Sequence, residues 1–141
     1  RVPVSGSLVV VLRGYVAKRH LELIPQPSRA VVAHAVHELI ATDEPGARPG
    51  ATVNRIAYLG FVEFGNGGVV LVGDEVRIGR RTLGRVAGYD LTHMPNHMNI
   101  VIAVARAVTG EDLGLRLGAR VVLAAPRRPG GARRRGRSRR T

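Results

Sequence analysis

Residues 69–89 read VVLVGDEVRIGRRTLGRVAGY, and this stretch decides the fold class. Short apolar runs at residues 69–72, 76–78 and 83–89 are separated by polar turns that contain glycine. Apolar runs of this length between glycines are typical of strands joined by tight turns. Because strands this short cannot build a long flat sheet, the pattern predicts a small, strongly coiled β-barrel.

Further strands are predicted on both sides of this stretch. They fall at residues 7–15, 21–24, 35–41, 53–64, 98–104 and 118–123, with Gly60 as a bulge or bend in the fourth. Residues 28–42 also fit a helix capped by Ser28, but we favour the strand over 35–41. Residues 109–117 predict a loop with one helical turn. The sequence therefore predicts an all-β or β-rich fold, a barrel of about seven or eight short strands with one or two short helices.

The charge of the chain is unevenly distributed. The formal net charge is +12, but residues 126–141 hold eight Arg and no acid, which leaves 14 Lys+Arg against 10 Asp+Glu, or +4, in residues 1–125. A segment with many like charges and almost no apolar residues cannot bury a core. We therefore predict a single β-barrel domain over residues 1–125 and a disordered Arg-rich tail over residues 126–141.

The sequence contains no cysteine and no long apolar segment. No disulfide, thiolate chemistry or Cys-ligated zinc is therefore expected. No stretch approaches the ~20 consecutive apolar residues of a membrane span, and the N-terminus lacks the charged-then-apolar order of a signal peptide. These features predict a cytoplasmic protein without a membrane partner.

The densest group of polar side chains lies in residues 89–99, which read YDLTHMPNHMN. Polar groups are costly to bury without partners, so this density indicates a pocket, a metal site or a solvated loop. In the pocket interpretation His97 is a general base or acid, because imidazole titrates near neutral pH. Asp90 is predicted to orient the His97 ring, and His93 is the third predicted catalytic residue.

Substrate-binding positions are predicted around these three residues. Asn96 and Thr92 are placed to polarise a substrate oxygen, and Tyr89 stands at the start of the loop. The dipeptide His37-Glu38 and the carboxylate of Glu63 are weaker candidates from other strands. Glu63 enters the barrel only if its strand turns that face inward. Its apolar neighbours favour the alternative, in which Glu63 is a solvated surface residue.

Two other interpretations of the loop stay open. His93 and His97 have the spacing of two metal ligands on one helical face, with Asp90 or Glu63 as an oxygen ligand. Pro95 disfavours the helix that this spacing requires, and we predict neither a metal nor another cofactor. The loop is also explained as a plain turn whose histidines hydrogen-bond to loop carbonyl groups.

The second half of the chain resembles a known family in its order of glycines, strands and polar loop. The matching residues, within about 64–104, are Gly68, Gly73, Ile78-Gly79, Val86-Ala87-Gly88, Asn96-His97 and residues 100–102. They are similar to the glucitol/sorbitol-specific IIA component of the bacterial sugar phosphotransferase system, and this resemblance implies a small β-barrel and a carrier role. At residues 57–61, AYLGF, the chain lacks the phospho-accepting His of that family. The whole chain also resembles small uncharacterised proteins of actinobacterial type.

The leading functional hypothesis is a barrel that binds a small organic molecule at its mouth and acts on it as a bacterial tailoring enzyme. Proton transfer by His and Asp would serve an isomerase, a cyclase or a lyase. The alternatives are a non-catalytic carrier or regulatory module, and nucleic-acid binding through the tail. We disfavour the last because the tail has no aromatic residues to stack on bases. The strand at residues 98–104 is apolar on both faces, which predicts a central position and suggests a homodimer seam.

Overall fold

The structure is a computed structural model that describes residues 1–127, and these residues form mainly β-strands. The strands are β1 (Val4–Val11), β2 (Tyr15–Val16), β3 (Leu21–Glu22), β4 (Ser28–Val31), β5 (Val36–Thr42), β6 (Thr52–Val53), β7 (Ile56–Phe64), β8 (Gly68–Leu71), β9 (Glu75–Ile78), β10 (Arg81–Asp90), β11 (Asn99–Ala103) and β12 (Arg120–Ala124). A short helix, α1, spans Gly110–Leu113.

Seven of these strands form a ring-like sheet in the order β1-β12-β9-β10-β11-β5-β7. The ring closes because β1 pairs with β12 on one side and with β7 on the other. The β5–β11 pair is parallel, and the other pairs of the ring are antiparallel. The strand-rich fold class predicted from residues 69–89 is therefore confirmed.

The main core consists of side chains from one face of this sheet. Its largest fully buried members include Tyr89, Phe64, Leu8, Met98 and Ile100. Aliphatic residues at alternate strand positions supply most of the rest, because successive side chains of a strand point to opposite faces. With so few aromatic residues, the core depends on valine, leucine and isoleucine.

A second, smaller core lies on the outer face of the sheet. Ile40, Val101 and Ala87 belong to it, and each alternates along its strand with residues of the main core. Leu21 and Leu23, from the segment that contains β3, pack against them. The central strands of the sheet are therefore buried on both faces within one chain.

The strand predicted at residues 98–104 is central, because β11 lies between β10 and β5. Ile100 and Ile102 pack in the main core, and Val101 packs in the second. Since both faces are covered by other parts of the same chain, this strand does not form the homodimer seam suggested by its composition. Homodimer formation itself stays a prediction.

Residues 28–42 form strands, so the helical alternative is wrong. β4 pairs with β8, and β5 pairs with both β7 and β11. His34, in the turn between β4 and β5, has a φ of 73°, which breaks any helix through this segment. Long-range strand pairing thus overrides the local capping preference of Ser28.

The bulge predicted at Gly60 is present in β7. The register with β5 shifts between Leu39 and Ile40, opposite this glycine. A Cβ atom at Gly60 would lie 2.2 Å from the carbonyl oxygen of Val10, so only glycine allows this close approach of β1 and β7. The predicted helical turn within residues 109–117 is α1.

The described residues contain no helix that is both long enough and apolar enough to cross a membrane. The prediction of a disordered tail falls on residues 126–141, of which 128–141 lie outside the described residues.

Candidate functional site

One row of side chains crosses four neighbouring strands. Phe61 of β7 pairs with Glu38 of β5, Glu38 pairs with Asn99 of β11, and Asn99 pairs with Asp90 of β10. Glu38 lies two positions before Ile40 in β5, and Asn99 lies two positions before Val101 in β11. Because alternate residues of a strand point to the same face, the row lies on the outer face of the sheet, with the second core. The predicted site is thus on the outer face of the ring, beside the second core, and not inside the barrel mouth.

The loop between β10 and β11 folds over this row. Two backbone hydrogen bonds tighten it, from Met94 N–H to the Leu91 carbonyl at 3.1 Å and from Asn96 N–H to the His93 carbonyl at 2.9 Å. The chain reversal places His97 against Phe61, with ring centroids 5.1 Å apart and planes at 76°. This edge-to-face packing fixes the plane of the imidazole ring.

His97 and Glu38 form a close, largely buried pair. The His97 Nε2 atom lies 3.3 Å from Glu38 Oε1, and the two side chains are only 16% and 10% exposed. The two atoms are near enough for a charge contact, but they are not aligned as a hydrogen bond, and within residues 1–127 the buried Nε2 has no hydrogen-bond partner. The hydrogen-bonding capacity of this nitrogen is therefore unused.

The other side of the His97 ring faces the loop. Its Nδ1 atom lies 2.8 Å from the amide oxygen of Asn96, an exposed residue. The ring of His93 stacks on it with a centroid distance of 5.1 Å and an interplanar angle of 29°. The structure thus brings together three predicted site residues, His93, Asn96 and His97.

The carboxyl group of Glu38 has an altered acidity. Burial raises its pKa above the usual range of glutamate, and the nearby charge of Asp90 adds to this increase, whereas His93 and Arg19 oppose it. A raised pKa brings the carboxyl group closer to accepting a proton near neutral pH. This is the property expected of a group that exchanges protons with a neighbouring imidazole.

Asp90 has different partners from those predicted. Its buried carboxyl group accepts hydrogen bonds from Thr92 Oγ1 at 2.6 Å and from Asn99 Nδ2 at 2.8 Å. Asp90 therefore anchors the start of the loop, together with the predicted substrate-binding residue Thr92. The carboxylate that touches His97 is Glu38, so the predicted orienting role of Asp90 is corrected.

Glu38 contributes more to the site than its sequence context indicates. In the sequence, Glu38 stands out only as the neighbour of His37, on a segment that fits either a helix or a strand. The sequence signal that points to Glu38 is its place among apolar strand residues, because a glutamate buried there without a partner is costly.

His37 lies beside the site but serves the backbone. Its Nδ1 atom accepts a hydrogen bond from the Met98 N–H at 3.0 Å, which holds the start of β11 against β5. Burial lowers the pKa of His37, and the positive charges of His97 and Arg29 lower it further. A neutral His37 is consistent with its role as an acceptor.

Tyr89 and Glu63 lie away from the site. The Tyr89 side chain is fully buried in the main core, where its hydroxyl donates to the Val70 carbonyl at 2.9 Å, and burial raises its pKa. Glu63 is on the surface, 3.9 Å from the exposed His34 ring. The prediction of substrate binding by Tyr89 and Glu63 has no support from their positions, and the surface alternative for Glu63 is the one observed.

The histidines of the loop do not assemble a metal site with neighbouring carboxylates. Among residues 1–127 no group of three or more His, Asp or Glu side chains is arranged to hold a metal ion. Besides His97 Nε2, the buried Asn99 Oδ1 of the row also lacks a hydrogen-bond partner within residues 1–127. The site therefore presents two buried polar atoms whose hydrogen-bonding capacity is unused.

The chain belongs to the family described as "Family of unknown function (DUF6917)", whose model matches residues 1–124. The matched range includes Glu38, His93, His97 and Asn99. No curated protein and no solved structure matches the chain.

Proposed function

We propose that this protein is an acid–base catalyst acting on a small organic molecule, with His97 and Glu38 as its proton-transfer pair. The observation that carries the proposal is the 3.3 Å separation between His97 Nε2 and a buried glutamate carboxyl group. The raised pKa of that carboxyl group supports the same role. Isomerisation, cyclisation and elimination all need such a pair, because each removes a proton from one atom and supplies one to another.

In this proposal the two nitrogens of His97 have different roles. The Glu38 carboxyl group, 3.3 Å from Nε2, takes the Nε2 proton when Nδ1 takes up a proton from the substrate. Nδ1 faces Asn96, whose exposed side chain can give way to a substrate, so Nδ1 is the atom that removes the substrate proton. His93, stacked on the outer side of the ring, would then contact the substrate as well.

The proposal is tested by hydrogen exchange at carbon. The protein is incubated in D2O with a panel of ketones and 2-oxo acids, and loss of the α-C–H signal is followed by proton NMR. We expect exchange with at least one compound, and we expect His97→Asn and Glu38→Gln to abolish or strongly reduce it.

His34→Asn is the matched control. His34 is exposed and lies near a carboxylate, Glu63, but outside the site. Exchange that is equal in wild type, His97→Asn and His34→Asn would contradict the proposal. A complete lack of exchange, combined with a large loss of stability in His97→Asn, would favour a purely structural role for the pair.

A non-catalytic carrier or regulatory module of the IIA type is the second candidate. The ring-like seven-stranded sheet supports it. Residues 57–61, the counterpart of the phospho-accepting strand, lie in β7 and contain no histidine. This candidate predicts binding of a partner protein without turnover of any compound in the exchange panel.

The remaining expectations from the sequence belong to the same proposal. The lack of cysteine supports a cytoplasmic location, and a homodimer would have to use a surface other than β11. Nucleic-acid binding through residues 126–141 is the candidate we disfavour. If deletion after Ala125 leaves any measured nucleic-acid affinity unchanged, that candidate is excluded.

A further inference from the structure

A cleft away from His97 and Glu38 has three arginine residues and no acidic residue among its lining residues. It has a volume of about 470 Å³ and lies between the β9–β10 turn and the loop that follows α1. Arg80 and Arg81 line it from the turn, and Arg116 lines it from the loop. A volume of this size lies within the range of sites for small organic ligands.

The walls between these arginines are apolar. Ile78, Leu113 and Leu115 contribute to the lining, and Ile78 is fully buried beneath it. Arg81 Nη2 donates to the Leu113 carbonyl at 3.4 Å, which connects the turn to the end of α1. The cleft therefore offers an apolar surface bordered by three arginine residues.

Within the described part of the chain, Arg80, Arg81 and Arg116 form no ion pair with an acidic side chain. The ion pairs formed by arginine within residues 1–127 involve Arg1, Arg55 and Arg77, and none of them involves an arginine of this cleft. A guanidinium group has a fork of donors that matches a carboxylate or phosphate. Three arginine residues around one apolar cleft supply donors of the kind that an anion requires.

This cleft is separate from the acid–base site. Arg81 and Asp90 are the two ends of β10, and a strand rises about 3.3 Å per residue, so the cleft and the Asp90 row are roughly 30 Å apart along the strand. The two sites therefore have no side chain in common.

We propose that this cleft binds a small organic anion, namely a phosphate ester or a carboxylate that carries an apolar body. The guanidinium groups of Arg81 and Arg116 hold the anionic group, and Leu113 and Leu115 contact the apolar body. This inference does not depend on the acid–base proposal, because neither His97 nor Glu38 takes part.

The test uses three probes on the full chain: phenyl phosphate, inorganic phosphate and phenol. Binding is followed by changes in the ¹H–¹⁵N spectrum, where the amides of Gly79 and Gly114 report on the two walls. We expect phenyl phosphate to bind about tenfold more tightly than inorganic phosphate, because the ring buries apolar surface on the leucines. Phenol, which lacks the charge, is expected to bind more weakly than phenyl phosphate.

Arginine substitutions then distinguish binding of phenyl phosphate in the cleft from its general attraction to a basic protein. The double variant Arg81→Gln/Arg116→Gln is expected to bind phenyl phosphate about tenfold more weakly, and Arg48→Gln, on the exposed loop after β5, is expected to bind it as wild type does. Since Arg81 also contacts Leu113, Arg116→Gln alone provides a second variant with an expected loss of about threefold. A dispersed amide spectrum establishes that each variant is folded.

Three results would overturn the inference. The first is equal affinity for phenyl phosphate and inorganic phosphate, which would show attraction to charge alone. The second is phenyl phosphate binding that the substitutions at Arg81 and Arg116 leave unchanged. The third is an absence of saturable shifts at Gly79 and Gly114, which would place any binding elsewhere.

Discussion

The contact between His97 and Glu38 can be measured by a double-mutant cycle. His97→Asn removes Nε2 but keeps an amide near the position of Nδ1, and Glu38→Gln removes the charge while nearly preserving shape. Comparison of the two single variants with the combined variant isolates the coupling free energy of the pair.

The expected coupling follows from distance and burial. At 3.3 Å, two unit charges at an effective dielectric constant of about 20 attract by about 5 kcal/mol, which is an upper limit. Desolvation of Glu38 offsets part of this attraction, and fully exposed pairs yield only about 0.2–1 kcal/mol. With side chains that are 16% and 10% exposed, we expect a coupling of about 1–2 kcal/mol.

The chain contains its own control pair. His34 Nδ1 and Glu63 Oε2 are 3.9 Å apart, and their side chains are 82% and 47% exposed. Asparagine tolerates the φ of 73° at His34, so His34→Asn causes little strain. Solvent screens this pair, and its coupling is expected to be below about 0.5 kcal/mol.

Both cycles are measured by urea unfolding at 25 °C, at pH 8 and at pH 6. Because burial raises the pKa of Glu38, the Glu38 carboxyl group is protonated at a higher pH in the folded protein than in the unfolded chain. As the pH is lowered, Glu38 therefore loses its negative charge at a higher pH than an ordinary glutamate does. The coupling between His97 and Glu38 should be lost at the same pH.

One result would refute this reasoning. If the coupling of His97 and Glu38 equals that of His34 and Glu63 at both pH values, the buried groups are neighbours without an energetic interaction. The acid–base proposal would then lose the observation that carries it.

Two further predictions concern a buried hydrogen bond of the main core and a histidine beside the site. Tyr89→Phe removes the hydrogen bond to the buried Val70 carbonyl and should lower the free energy of unfolding by about 1–3 kcal/mol in urea titrations; a change below about 0.5 kcal/mol would mean that the bond contributes little. Burial, followed by the charges of His97 and Arg29, lowers the pKa of His37 in the folded protein. The unfolded chain therefore binds a proton at His37 at a higher pH than the folded protein does. As a result, the free energy of unfolding should fall as the pH drops from about 6.5 to the pKa of His37 in the folded protein. His37→Asn, whose amide oxygen can accept the same Met98 N–H, should reduce this loss on acidification, and an unchanged pH profile would assign the loss to other groups.

Local patterns explain why the fold class was predictable. The glycine-bounded runs of residues 69–89 became β8, β9 and β10, because turn geometry and strand length depend on residues close together in the chain. The bulge at Gly60 and the helical turn at α1 have equally local causes. Residues 28–42 were ambiguous because their strands are stabilised by pairing with distant segments.

The candidate site was only partly predictable for the same reason. His93, Asn96 and His97 belong to one loop, so their proximity follows from their spacing. Asp90 is equally close in sequence, but its carboxyl group is occupied by Thr92 and Asn99. Competition among several possible hydrogen-bond partners within one loop cannot be resolved from spacing alone.

The amino-acid sequence by itself determined a strand-rich chain, the position of its turns and a polar loop that carries two imidazoles, since these depend on residue type and short-range periodicity. Only the tertiary structure decided which carboxylate meets His97 and on which face of the sheet. The parallel pairing of β5 with β11 brings His37 next to Met98, 61 positions away, and the same pairing places Glu38 beneath the loop. Such pairing depends on burial of two cores at once, and no local pattern records it.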